Sequence, residues 1–250
     1  MSDLAIVAEW IRDAENVVAF TGAGISTPSG IPDFRSEDSG LWQDVDPQRV
    51  ASIFGFRREP QAFFDWVRPL TELTMQAKPN PAHDTLVKLE QAGKLTAVIT
   101  QNIDMLHGKA GNTVVHELHG HMRTATCISC FEQVLAEPII KQVLEDGKVP
   151  HCKCGGVLKP DVILFGEQLP YQVLLDSKKA ARAADLIIVI GSSLEVAPAS
   201  EIPLIAKRNG AKLVIINNEP TIMDRFADKV LLGDAAIVLP EIIACLEASA

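Results

Sequence analysis

The stretch Val17-Val18-Ala19-Phe20-Thr21-Gly22-Ala23-Gly24 reads as a short buried strand that runs into a turn of small residues. It is apolar throughout rather than alternating, the pattern of a strand covered on both faces. Similar runs return at 95–100, 114–118, 161–165, 186–190, 213–217 and 230–232. Helical spacing fills the intervals at 4–14, 81–92, 171–184, 198–209 and 235–246, the second of these with Pro81 near its start and Gly93 just past its end. Strands alternating with helices predict a doubly wound, mainly parallel α/β sheet.

Two stretches interrupt that alternation. Residues 36–80 carry no strand pattern but hold Trp42, Phe54, Phe56, Phe63, Phe64 and Trp66, and read as a helical insert over one mouth of the sheet. Residues 123–157 carry two cysteine pairs and are too short for a hydrophobic core of their own. The expected organisation is therefore a Rossmann-like domain from 1–35, 81–122 and 158–250, a helical insert at 36–80 and a zinc-binding insert at 123–157.

Cys127-x2-Cys130 is followed after 21 residues by Cys152-x-Cys154, so each pair can supply one edge of a tetrahedron. Four thiolates suit a structural zinc ion with no open coordination position. The second pair is one residue shorter than the usual knuckle, which leaves His151 as an alternative ligand. Cys245 stands alone and reads as a small core residue. Clustering of the other four suits a reducing compartment.

Composition narrows the function. The 250 residues carry a net charge of −9, which argues against a sequence-independent nucleic-acid binder. The longest apolar run, 186–190, is far short of the roughly 18–20 residues of a membrane span. The N-terminal segment is amphipathic rather than a signal peptide. A cytoplasmic protein with no membrane partner is expected.

The glycine turn suits a dinucleotide pyrophosphate, because backbone without Cβ atoms can approach it at a helix N-terminus. The usual G-x-G-x-x-G is incomplete, with Thr27 in the third position, and no acidic residue closes a second strand about 20 residues on. An ordinary nicotinamide-dependent oxidoreductase is thereby disfavoured. The polar loop that follows sets Asp33, Phe34 and Arg35 side by side, fit to fold over a ribose and a leaving ring. Asp33 could equally brace its own loop. Other strand ends carry Thr100-Gln101-Asn102-Ile103-Asp104, His116-Glu117-Leu118-His119-Gly120, Gly191-Ser192-Ser193 and Asn217-Asn218. Ligands of open α/β sheets sit at strand carboxyl ends, so these clusters should converge on one crevice.

TGAGIS (21–26), GIPDFR (30–35), TQNID (100–104), HELHGH (116–121), FGE (165–167), GSS (191–193) and IINNE (215–219), together with the cysteine pairs, resemble the sirtuin family in content and order. The resemblance implies an NAD-dependent protein-lysine deacetylase acting on acetylated protein or peptide, releasing nicotinamide and 2′-O-acetyl-ADP-ribose. His119 would be the general base and Asn102 would position ribose or a water. Gly22, Ala23, Gly24, Thr27, Asp33, Phe34, Arg35 and Gln101 would line the cofactor pocket, with Ile103 and Asp104 on the nicotinamide carboxamide. Gly191, Ser192, Ser193, Asn217, Asp234 and Ala235 would hold the adenosine half. Val162, Phe165, Gly166, Glu167, Leu194, Glu195 and Val196 would flank the peptide. Motif position alone favours His119 over His116.

Relatives that prefer succinyl or malonyl groups carry a Tyr-x-x-Arg pair, where this chain has Phe64 and Val67, with Arg68 one position later. An acetyl or longer aliphatic acyl group is expected. Mono-ADP-ribosyl transfer and a non-enzymatic zinc-ribbon module are the competing readings.

Overall fold

The computed structural model describes residues 2–34, 40–42 and 45–248. Arg35, one of the expected cofactor contacts, lies outside the described residues. The main sheet is built from β1 (Val17–Thr21), β2 (Leu95–Thr100), β3 (Val115–Glu117), β7 (Leu186–Ile190), β8 (Lys212–Asn217) and β9 (Lys229–Leu232) in the order β3-β2-β1-β7-β8-β9. All neighbours run parallel. The order reverses at β1, between β2 and β7, which is the switch point where such sheets open a crevice. Register aligns Thr21 with Thr100 and with Ile190. The loops that begin at residues 22, 101 and 191 therefore start side by side.

Both faces of the sheet are covered, which is why its strands read as continuous apolar runs. One face packs on α1 (Asp3–Asp13), α5 (Pro81–Gln91) and α10 (Ala235–Ala248) through residues such as Ile11, Leu86, Val98, Ile188 and Ile242. The other packs on α8 (Tyr171–Ala183) and α9 (Ile202–Arg208) through Phe20, Ile99, Ala181, Ile187 and Ile202. Local signals fix the ends: Ser2 Oγ accepts the Ala5 N–H, and Asn80 caps α5 with Pro81 in its first turn.

The segment at 161–165 corrects the sequence expectation of another strand of this sheet. The strand is β6 (Leu158–Val162), and it belongs to a separate antiparallel sheet with β4 (Gly120–Cys127) and β5 (Gln133–Leu135). Its side chains alternate, with Leu158, Pro160 and Val162 inward and Lys159 and Asp161 at the partly exposed face. Alternation of that kind marks a sheet with one wet face. Asp161 is held there by Thr124, Thr126 and Gln133.

The aromatic stretch forms α2 (Pro47–Val50), α3 (Ile53–Arg58) and α4 (Pro60–Gln76). Its Phe56, Phe63, Phe64 and Val67 share one core with Met122 and Ala125 of β4, Ile139 and Val143 of α7 (Ala136–Asp146) and Leu158 of β6. Neither stretch has enough apolar surface alone, and each completes the other. α6 (Leu106–Ala110) follows β2 directly. No helix of the described residues is long and apolar enough to cross a membrane.

Candidate active site

A cavity of about 1350 Å³ opens at the carboxyl ends of β1, β2 and β7, between the main sheet and the smaller lobe. Single-ligand pockets run to roughly 300–1,000 Å³, so this one has room for two ligands at once. Gly22, Ala23, Gly24, Thr27, Asp33, Phe34, Gln101, Asn102, Ile103, Asp104, Gly191, Ser192, Ser193 and Asn217 all line it, as do His119, Val162, Phe165, Gly166, Glu167, Glu195 and Val196. Three residues expected here stand elsewhere. Asp234 accepts the Ala236 N–H at the start of α10, Ala235 is buried in the core, and Leu194 turns its side chain into the core with a backbone φ of 58°.

The glycines have a reason of their own. A Cβ at Gly22 would meet the Gly191 oxygen at 2.7 Å, one at Gly24 would meet Gly191 Cα at 2.8 Å, and one at Gly191 would strike the Ile25 nitrogen at 2.2 Å. The loops after β1 and β7 thus pack backbone on backbone, and that contact alone demands small residues. The close packing leaves main-chain groups, rather than side chains, forming this part of the cavity wall.

Asn102 Nδ2 donates to the Gly22 carbonyl at 3.0 Å and to Ser26 Oγ at 3.2 Å. Its Oδ1 is then the acceptor end. Asp104 is buried, accepting Ser26 Oγ–H at 2.7 Å and the Leu106 N–H at 2.8 Å. Gln101 donates to Ser192 Oγ at 2.8 Å, linking the loops after β2 and β7. Ser26 is a joint of this network that sequence reading quoted but did not single out. Its signal was a polar residue closing an otherwise apolar glycine turn.

His119 stands in the turn between β3 and β4, with Nδ1 2.9 Å from the Gln101 carbonyl. A carbonyl only accepts, so Nδ1 carries the proton and Nε2 is the basic nitrogen. Burial pushes its pKa below the ordinary histidine value, with the Gln101 carbonyl offsetting part of the effect. His116 does not line this cavity and faces Asp176 of α8. Geometry therefore separates two histidines that motif position alone had distinguished.

An aromatic wall closes the cavity. Phe34 stacks on Trp42 at 5.1 Å, Trp42 stacks on Trp66 at 5.2 Å, and Phe165 lies 6.1 Å from Trp42. The Leu41 and Trp42 N–H groups donate to the Asp33 and Phe34 carbonyls, bringing the two ends of that loop together. Arg68 does not line the cavity. Its Nη2 donates to the Leu144 carbonyl at the end of α7.

Away from the cavity, the Sγ atoms of Cys127, Cys130, Cys152 and Cys154 all lie within 4.8 Å of one another. The closest pairs, Cys127–Cys154 and Cys130–Cys152, are 3.5 Å and 3.7 Å apart. Those separations exceed a disulfide bond of about 2.05 Å and approach the ~3.8 Å edge of a tetrahedron with zinc–sulfur bonds of ~2.3 Å. The N–H groups of Cys130 and Ser129 hold the Cys127 thiol down to about 6. Although the Cys154 amide lowers it, Cys152 is pushed up to about 12 by burial and its neighbouring thiols. A Cβ at Gly156 would meet Cys127 Sγ at 2.6 Å. The donor set fits one zinc ion. His151 is not part of that cluster; it is exposed, with its Nδ1 2.9 Å from the Val149 carbonyl.

The Sir2 family model matches residues 22–198. The chain belongs to the Sir2 family. An NAD-dependent protein deacetylase from Sulfolobus acidocaldarius is 46% identical over 96% of this chain and 94% of its own. A structure solved for the mechanism and regulation of Sir2 enzymes superposes with a TM-score of 0.94 at 45% identity, covering 99% of both chains. A second Sir2 structure, holding a deacetylated p53 peptide and 3′-O-acetyl ADP-ribose, has a TM-score of 0.92 at 37% identity over 97% of this chain and 98% of that one. The Sir2 fold thus accounts for both lobes and for the cavity between them.

Proposed function

We propose that this chain is an NAD-dependent protein-lysine deacetylase whose reaction takes place in the cavity between the two lobes. The observation that carries the reading is the convergence of a basic His119 Nε2, the Asn102–Asp104 loop and the glycine loops on one two-ligand cavity. NAD, when bound, would supply the ADP-ribosyl acceptor of the acetyl group and nicotinamide as the leaving group. Gly22, Ala23, Gly24, Thr27, Asp33, Arg35, Gln101, Gly191, Ser192, Ser193 and Asn217 are the residues assigned to hold it, with Ile103 and Asp104 toward the carboxamide.

His119 acts as base at Nε2, its Nδ1 proton held by Gln101 so that the ring keeps one orientation. Asn102 presents Oδ1 to the same space. Phe34, braced by Trp42 and Trp66, excludes water from the reacting carbon. Val162, Phe165, Gly166, Glu167, Glu195 and Val196 border the mouth where an extended acetyl-lysine peptide would pair as a strand. The four-cysteine zinc site is structural and takes no part in the chemistry. In this division of labour, the six-stranded sheet with its helices binds the cofactor, the helices α2 to α4 border it, and the lobe built on the sheet β5-β4-β6 holds zinc. The antiparallel strands at 120–122 and 158–162 therefore go with the zinc-bearing insert rather than with the cofactor domain. Reduced thiols in a clustered zinc set suit a cytoplasmic site of action.

Incubation of an acetyl-lysine peptide with and without NAD, read by mass spectrometry, tests the reading. Loss of the acetyl mass only with NAD supports it; loss without NAD points to simple hydrolysis and overturns it. A second reading, removal of longer aliphatic acyl groups, is favoured by the apolar lining beyond Trp66, formed by Val67, Leu70, Met122, Leu135 and Ile140. Faster turnover of a long-chain acyl peptide than of the acetyl peptide would select it.

A further inference from the structure

Two buried histidines stand behind the strand ends that carry the cavity. His83 lies in the first turn of α5 and His107 in α6, with ring centroids 4.9 Å apart. The backbone N–H of Asn80 donates to His83 Nδ1 at 3.3 Å, so a neutral His83 carries its proton on Nε2. That Nε2 is buried and makes no hydrogen bond among the described residues. On the other ring, His107 Nε2 is 2.9 Å from Thr21 Oγ1, whose hydroxyl donates to Thr100 Oγ1 at 2.8 Å. Thr100 Oγ1 also accepts the backbone N–H of Asn102 at 3.0 Å. A hydroxyl both donates and accepts, so Thr21 bridges the His107 ring to Thr100, while the Asn112 side chain bears on the same ring and favours its protonated form.

We infer that His107 is a positioning residue for Asn102. The row Asn80–His83–His107–Thr21–Thr100 joins the loop after β1 to the loop after β2. At one end Asn80 Nδ2 holds the Ile25 carbonyl at 2.8 Å and Ser29 Oγ at 2.9 Å. At the other end the row fixes the amide of Asn102, and with it the side chain that faces the cavity. Burial and the neighbouring His83 hold the His107 pKa down to about 3, so the ring stays neutral at working pH. Leucine or phenylalanine at 107 would fill the volume but strand the Thr21 hydroxyl; glutamine would return a donor and an acceptor.

The kinetic consequence rests on the deacetylase reading, whereas the contact between His107 Nε2 and Thr21 rests on geometry alone, and the test uses both. Nitrogen-15 NMR of the imidazoles in the free protein should find His107 as a neutral ring whose Nε2 resonance moves in Thr21→Val. An imidazolium at neutral pH, or an Nε2 resonance unmoved by Thr21→Val, overturns the inference. In kinetics, folded His107→Phe and Thr21→Val should each lower kcat by about 10- to 100-fold, with KM for the acetyl peptide within about twofold, and His107→Gln should recover most of the loss. Unchanged kcat in both variants, or no recovery with glutamine, also overturns it. If the wild-type chain leaves acetyl-lysine untouched with NAD, the deacetylase reading fails and the response of the Nε2 resonance alone decides the relay.

Discussion

His119 Nδ1 lies 2.9 Å from the Gln101 carbonyl oxygen, and that single contact assigns the basic nitrogen to Nε2. Because burial depresses the His119 pKa, the ring stays neutral to lower pH than an exposed histidine would. A base must be unprotonated to work, so the acid limb of the kcat/KM profile, which reports the free enzyme, should fall below pH 6.5, the ordinary histidine value. His119→Ala should lose activity by about 10²- to 10⁴-fold. An acid limb at or above neutrality, or an alanine variant of wild-type rate, would contradict this assignment.

The acid stability of the fold follows from the buried histidine pair. His107 has a native pKa of about 3 against 6.5 when unfolded, and burial lowers that of His83 as well. Between those values the unfolded chain binds more protons than the native one. Stability therefore rises with pH through that window and is lost as pH falls below 6.5. His107 contributes a slope of up to about 1.4 kcal/mol per pH unit. Urea unfolding at about pH 7 and about pH 5 should show a shallower loss for His107→Gln than for wild type, and parallel losses would count against it.

Zinc should co-purify at one ion per chain. Chelation, or Cys130→Ser, should lower Tm by on the order of 10 °C, because the core that joins α4 to the cysteine segment includes Cys127 and Cys152. Metal analysis with thermal unfolding checks both statements. A zinc-free chain indifferent to chelator would refute the structural role.

The glycine at the end of β7 is required by contact as well as by conformation. Gly191 has φ of 59° and its Cβ would lie 2.2 Å from the Ile25 nitrogen, whereas Gly210 has φ of 97° with nothing within 4 Å. Gly210→Ala should cost about 1–2 kcal/mol, and Gly191→Ala at least about 3 kcal/mol. Equal effects in denaturant titrations would mean that the two loops separate easily.

Acyl preference rests on Val67 and Arg68. Val67 lines the cavity, while Arg68 is turned to the α7 carbonyl of Leu144 and presents no charge to it. A succinyl peptide should be turned over more slowly than an acetyl peptide of the same sequence, measured as kcat/KM. The reverse order would assign a basic residue of the cavity wall, Lys109 or Arg123, to the acyl carboxylate.

Much of this architecture is legible in the chain because strands covered on both faces are written as unbroken apolar runs, as at 17–20 and 186–190. The strand at 158–162 is harder to read, since Lys159 and Asp161 interrupt it and only the antiparallel partner β4 explains their alternation. The cavity residues are legible where they sit in the first turn after a strand, as Gln101 and Ser192 do. Asp234 is a helix cap by its hydrogen bond to Ala236, and an aspartate ahead of an apolar helical run carries that signal locally. The Thr21–Thr100–His107 row could not be read in advance, because it depends on strand register and on a ring that arrives from another element.

Coupling of cofactor cleavage to acyl removal in one cavity is tested by counting nicotinamide released against lysine freed in the same tube. The two should appear one for one, and both should stop when either NAD or the acetyl peptide is withheld. Lysine freed without nicotinamide, or nicotinamide released in large excess with the peptide intact, would contradict it.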